Sequence, residues 1–134
     1  MKLKKLLQES EKLPSYSAVL LDDKSHSLLI NTYKEYIEPD WRIYAHHMTI
    51  DPFGLVAEEK VGIQVKLTVT DYGISDNAFA VKVTGYSGPT NNKFPHVTIA
   101  VNWNEGGKPK DSNLITKWIS ESRKIELSGT IQNL

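Results

Sequence analysis

Two four-residue segments carry the side chains best suited to chemistry: His47-Met48-Thr49-Ile50 and His96-Val97-Thr98-Ile99. Each reads histidine, apolar, threonine, apolar. In an extended strand, residues two apart project from one face. Each segment therefore offers one imidazole and one hydroxyl to a common surface and turns Met48 or Val97 the other way. Imidazole titrates near neutrality. If both rings face one cleft, a neutral ring takes a proton from an attacking water or ribose hydroxyl, and a protonated ring gives one to the leaving oxygen. The Thr49 and Thr98 hydroxyls are placed to donate to non-bridging phosphate oxygens, favouring the charge that builds there. This is chemistry for cleaving a phosphodiester without a metal ion or cofactor. Which histidine is base and which is acid depends on how the substrate lies.

A lone strand histidine is more often structural than catalytic, and threonine favours strands in any case. Duplication is what singles these four out. At this composition the pattern follows a given histidine by chance roughly 6% of the time, so two occurrences among four histidines are about a 2% accident.

With these motifs the chain resembles the 2H phosphoesterase superfamily, defined by two H-x-[Ser/Thr]-hydrophobic motifs on paired α+β lobes. The stretches Ala45-His-His-Met-Thr-Ile50 and Asn92-Lys-Phe-Pro-His-Val-Thr-Ile99 look like those of 2H domains associated with RNA repair and tRNA ligases. The resemblance spans most of the chain. It implies a compact bilobal α+β fold, with antiparallel sheets and flanking helices around a central cleft. It also implies 2′,3′-cyclic phosphates, 2′–5′ linkages or small cyclic oligonucleotides as substrates. The motif histidines stand 49 positions apart, closer than in many members, and the chain is short for the superfamily. Both departures bear on substrate class more than on chemistry.

Aromatic faces near such a site can stack a base of any identity. The candidates for substrate contact are Tyr16, Tyr86, Phe94 and Trp103, with Tyr44 and Phe53 behind them. Tyr86 and Phe94 flank the loop that precedes His96, and Lys93 in that loop is a candidate for a phosphate. Trp41 and Trp118 read as packing residues. His46 beside His47 suggests a metal pair, but strand neighbours point to opposite faces and do not readily share an ion. His46 is expected to be buried against a helix or hydrogen-bonded there, and His26 to be solvated.

The elements that must position these groups follow from periodicity. Lys2 to Leu13 places Leu3, Leu6 and Leu7 at helical spacing, and Lys2, Lys4 and Lys5 form a small basic face. Ser15 to Leu21 reads as a strand. Asp22, Asp23 and Ser25 are candidate N-caps of a helix carrying Leu29, Tyr33, Tyr36 and Ile37 on one stripe, which Pro39-Asp40 ends. Trp41 to Ile50 reads as the second strand and Ala57 to Lys60 as a loop. Gly62 to Thr70 alternates cleanly, as does Ala78 to Thr84. Gly85 to Pro95 is a long loop of the kind that often carries function. Val97 to Val101 reads as a buried strand. Asp111 or Ser112 caps a final helix with Leu114, Ile115, Trp118 and Ile119 on one face, and Lys124 to Ile131 closes the chain as a strand.

The 134 residues suit a single domain, 1–134. Lys plus Arg and Asp plus Glu are 16 each, so the formal charge is zero. That argues against sequence-blind binding of long nucleic acid and for an RNA end or a small nucleotide as partner. The absence of cysteine excludes disulfides and thiol nucleophiles. No apolar run reaches membrane-spanning length, and the expectation is a soluble cytoplasmic monomer. Two other readings stand beside the phosphodiesterase: a nucleotide-binding module without turnover, and a ligase joining 2′–5′ ends without ATP.

Overall fold

The computed structural model describes residues 13–134. The helix expected over Lys2 to Leu13, with its basic face, lies outside the described residues apart from Leu13. The described elements are β1 (Ser17–Leu21), α1 (Asp23–Tyr33), β2 (Arg42–Ile43), β3 (His47–Asp51), β4 (Gln64–Ile74), β5 (Ala78–Thr84), β6 (His96–Val101), β7 (Trp118–Ser120) and β8 (Glu126–Asn133), with short 3-10 turns between them.

The strands pair in the order β6-β3-β1-β8-β4-β5, and β5 pairs back onto β6. Every pairing is antiparallel. The result is a closed six-stranded barrel, with β2 added to β6 and β7 added to β4. This corrects the bilobal α+β expectation: there is one barrel and one short helix among the described residues, not two lobes around a cleft. Alternation in the sequence shows that a strand has a buried face but not that two sheets share their edges. Closure through the β5–β6 pairing supplies what the expectation lacked.

The barrel interior is filled by alternate residues: Val19 of β1, Met48 and Ile50 of β3, Leu67 and Val69 of β4, Phe79 and Val81 of β5, Val97 and Ile99 of β6, and Leu127 of β8. The Asp22 carboxylate caps α1 by accepting the Ser25 N–H at 2.8 Å. That helix drops Leu29 and Tyr33 into the same cluster, both fully buried. The Tyr33 ring lies 5.6 Å from Tyr72 and 5.4 Å from Phe79, near the end of β4 and the start of β5. This end of the barrel is thereby closed. The Tyr33 hydroxyl donates to Glu121 at 2.7 Å, and Arg123 holds the same carboxylate.

β5 and β6 are buried on both faces, which explains their near-continuous apolar runs. Ile115, with Trp118 and Tyr44, covers Ala78, Ala80 and Val101 from outside the barrel. The helix expected to begin at Asp111 or Ser112 is instead a 3-10 turn over Pro109–Leu114, followed by β7. The spacing of Ile115 and Trp118 serves this outer contact. Trp41 to Ile50 also differs from the single strand expected. It breaks between β2 and β3 at Ala45, whose φ of 55° is the one positive value at a described non-glycine residue. Among the described residues, no helix is long and apolar enough to cross a membrane.

Candidate functional site

β3 and β6 are direct neighbours, joined at Met48 and Val97. Those two residues face inward, so His47, Thr49, His96 and Thr98 lie on the outer wall of the barrel. All four line one cavity of about 250 Å³, together with Tyr44, His46, Pro52, Asn92, Pro109, Lys110 and Asn113.

The approach to His47 is irregular. The Ala45 N–H bonds to the Thr98 carbonyl, yet Met48 already faces Val97. Two residues, His46 and His47, therefore stand opposite none on β6, and the strand bulges there. Bulges re-aim side chains and recur beside functional sites. Three hydrogen bonds fix this one. His26 of α1 donates from Nδ1 to the Ala45 carbonyl at 3.0 Å, the Ala45 N–H bonds to Thr98, and the Leu21 N–H bonds to the His46 carbonyl at 2.8 Å. Holding alanine in the left-handed region costs on the order of 1–2 kcal/mol, which these contacts offset.

The bulge revises the expectation for His46 and His26. His46 is exposed, not buried. It stacks on His26 with ring centroids 5.1 Å apart and borders the same cavity as His47. His26 is half-buried and part of the support, not merely solvated.

His96 is 7% exposed and donates from Nδ1 to the Phe94 carbonyl at 2.9 Å. That bond leaves Nε2 as the nitrogen available to a ligand. Burial lowers the affinity of His96 for a proton, and the Phe94 carbonyl opposes that shift. Burial also lowers the proton affinity of His47, and the charges of His46 and His96 push the same way. The two rings are thus electrically coupled, and among the described residues only His96 of the two has a contact that favours its charged form.

The two threonines differ. The Thr98 hydroxyl is engaged by the segment crossing over it: it donates to the Pro109 carbonyl at 3.2 Å and lies 2.7 Å from the fully buried Ser112 hydroxyl. Thr49 accepts an Asn92 side-chain N–H on its carbonyl at 2.7 Å, and its own hydroxyl has no partner among the described residues. Thr49 is therefore the readier donor to a ligand.

The other expected contacts are dispersed. The Tyr16 ring centre lies 5.8 Å from that of His47. Phe94 packs on His96 at 5.0 Å and meets Trp118 edge-on at 5.4 Å, so it supports the histidine from behind. Tyr86 lines a different cavity. Lys93 is exposed and borders neither cavity. Trp103, 41% exposed, lies under the Arg42 guanidinium at 3.8 Å, away from the histidines. Lys110, Asn92 and Asn113 line the site without having been singled out from sequence. Only the crossing of the 109–114 segment over Thr98 brings Lys110 and Asn113 in, and no local pattern announces it. Among the described residues, no three His, Cys, Asp or Glu side chains are grouped to hold a metal ion.

No protein-family model matches the chain, and no curated protein matches it either.

Proposed function

We propose that the protein is a nucleotide phosphodiesterase of the 2H type, using His47 and His96 as an acid–base pair. One observation carries the reading: both imidazoles and both motif threonines line a single small cavity. His47 is the general base. Among the described residues it has no contact that favours its charged form, so it is the neutral partner that accepts a proton from water. His96 is the general acid, because the Phe94 carbonyl favours its protonated ring and directs Nε2 outward. Water attacks phosphorus as His47 takes its proton. The bond to the leaving ribose oxygen breaks as His96 protonates that oxygen, leaving a phosphomonoester where the substrate was a cyclic phosphate. Thr49 donates to a non-bridging oxygen, and Lys110 at the rim offsets phosphate charge.

The cavity is just below the usual range for small-ligand pockets, about 300–1,000 Å³. A volume of about 250 Å³ admits a ribose phosphate and leaves the remainder of a larger substrate outside. This favours 2′,3′-cyclic phosphate ends, 2′–5′ linkages and small cyclic oligonucleotides over an internal stretch of folded RNA.

The test is a panel of these three substrate types incubated with the protein in EDTA and resolved by chromatography. A phosphomonoester or opened ring supports the proposal. Binding without product points to a nucleotide-binding module, and full turnover by His47→Ala removes the acid–base pair.

A further inference from the structure

Among the described residues, the end of the barrel opposite Tyr33 is open. It is formed by the starts of β1, β4 and β6 and the ends of β3, β5 and β8. A cavity of about 710 Å³ occupies this mouth, well within the range that holds small organic ligands. Its walls include Ile50, Val56, Val65, Tyr86 and Ile131, and Leu55 and Ile63 stand at its lip, 52% and 46% exposed. Small-ligand sites recur in the mouths of β-barrels.

Two polar features distinguish this cavity from a packing defect. Ser17, on the inward face of β1 with Val19, is 0% exposed, and its hydroxyl has no hydrogen-bond partner among the described residues. Buried hydroxyls are ordinarily paired, so this one lacks an acceptor or donor that a bound molecule would bring. Lys60 and Lys66 also border the cavity, and neither forms an ion pair among the described residues. The one carboxylate in the wall among the described residues, Asp51, is held by the Phe53 N–H at 3.0 Å and the Asn91 side chain at 2.8 Å.

We infer that the barrel mouth is a second ligand site, for a small molecule with an apolar body and one anionic group. The apolar walls take the body, the lysines meet the charge, and the Ser17 hydroxyl meets a polar atom. The site is independent of the histidine cavity and of the phosphodiesterase reading.

The experiment titrates the full chain with anilinonaphthalene sulfonate, followed by fluorescence, and displaces it with decanoate. Thermal melts with and without decanoate provide a second readout, because a ligand of the folded state raises Tm. The expected result is one saturable site, with decanoate raising Tm. Exposed Ala57 lies at the lip, and Ala57→Trp abolishes both effects. The double change Lys60→Ala with Lys66→Ala weakens decanoate about tenfold at low salt, the scale of two exposed charges near a ligand. His47→Ala leaves binding unchanged. Absence of saturable binding, which includes filling of the mouth by the protein itself, overturns the inference. So does undiminished binding to Ala57→Trp, or decanol binding as tightly as decanoate.

Discussion

The Nδ1–H of His96 donates to the carbonyl of Phe94 two residues earlier, at 2.9 Å, so the backbone just before β6 fixes which ring nitrogen faces the cavity. A proline between them, Pro95, adds stiffness to that short bridge. The first prediction follows directly. At pH 8 the neutral His96 ring carries its proton on Nδ1, and long-range proton–nitrogen spectra of labelled protein show Nε2 as the unprotonated nitrogen.

In the proposed reaction each ring makes one proton transfer. His47→Ala and His96→Ala should each lower turnover of a 2′,3′-cyclic nucleotide by about 10²–10⁴-fold, the usual contribution of general acid–base catalysis. Single-turnover measurements check this. Thermal melts should show both variants folded.

The pH dependence has a definite sign. The proposed acid–base pair needs His47 neutral and His96 protonated, and both have proton affinities lowered by burial. The maximum of kcat/KM is therefore expected below the ordinary histidine value of about 6.5, falling on the alkaline side as His96 loses its proton. Folding follows the same groups. Unfolded histidine binds protons that the buried rings resist, so their stability contribution is present above about pH 6.5 and is lost as pH falls through the lower folded values. The double variant lacking both rings should show a weaker loss of Tm between pH 7 and 5.

Thr49→Val and Thr98→Val should separate. The first removes the hydroxyl without a partner among the described residues and should reduce kcat by about tenfold or more while leaving Tm near that of the parent. The second breaks the bonds to Pro109 and Ser112 and leaves a buried hydroxyl unpaired. It should destabilise the protein by about 1–3 kcal/mol, measured by urea denaturation.

At the closed end of the barrel, Arg123, with help from Tyr33, holds the Glu121 carboxyl at about 2, well below the usual carboxylate range. Its side chain is 3% exposed. The stability this carboxylate contributes is present above the unfolded glutamate value of about 4.3 and is lost as pH falls toward 2. Tyr33→Phe should cost about 1.5–3 kcal/mol, the scale of a hydrogen bond to a charged group, and leave the histidine site unaffected.

Much of this arrangement is written locally. Asp22 caps α1 as its residue type suggests, and the alternation of Ala78 to Thr84 marks β5 to the residue. The motif spacing puts each threonine on the face of its histidine. What is not local is not legible. Ile115 and Trp118 fit a helical stripe, but the outer face of β5 and β6 offers them burial as extended chain, and tertiary contact overrides propensity. Alanine rarely adopts positive φ, so nothing at Ala45 announces the bulge that places His46 beside His47. Tyr86 and Lys93 share the loop before His96, yet that loop runs along the barrel mouth, with Asn91 bonded to Asp51, and delivers only Asn92 to the histidine cavity.

The seam between β1 and β8 joins residues 17–21 to residues 129–133. On a ribosome, β1 must therefore wait for residues 129–133 to emerge before its second neighbour exists. Contacts so distant along the chain make for slow acquisition of the native state, on the millisecond-to-second scale of all-β domains. During synthesis the exposed edge of β1 depends on whatever shields nascent chains.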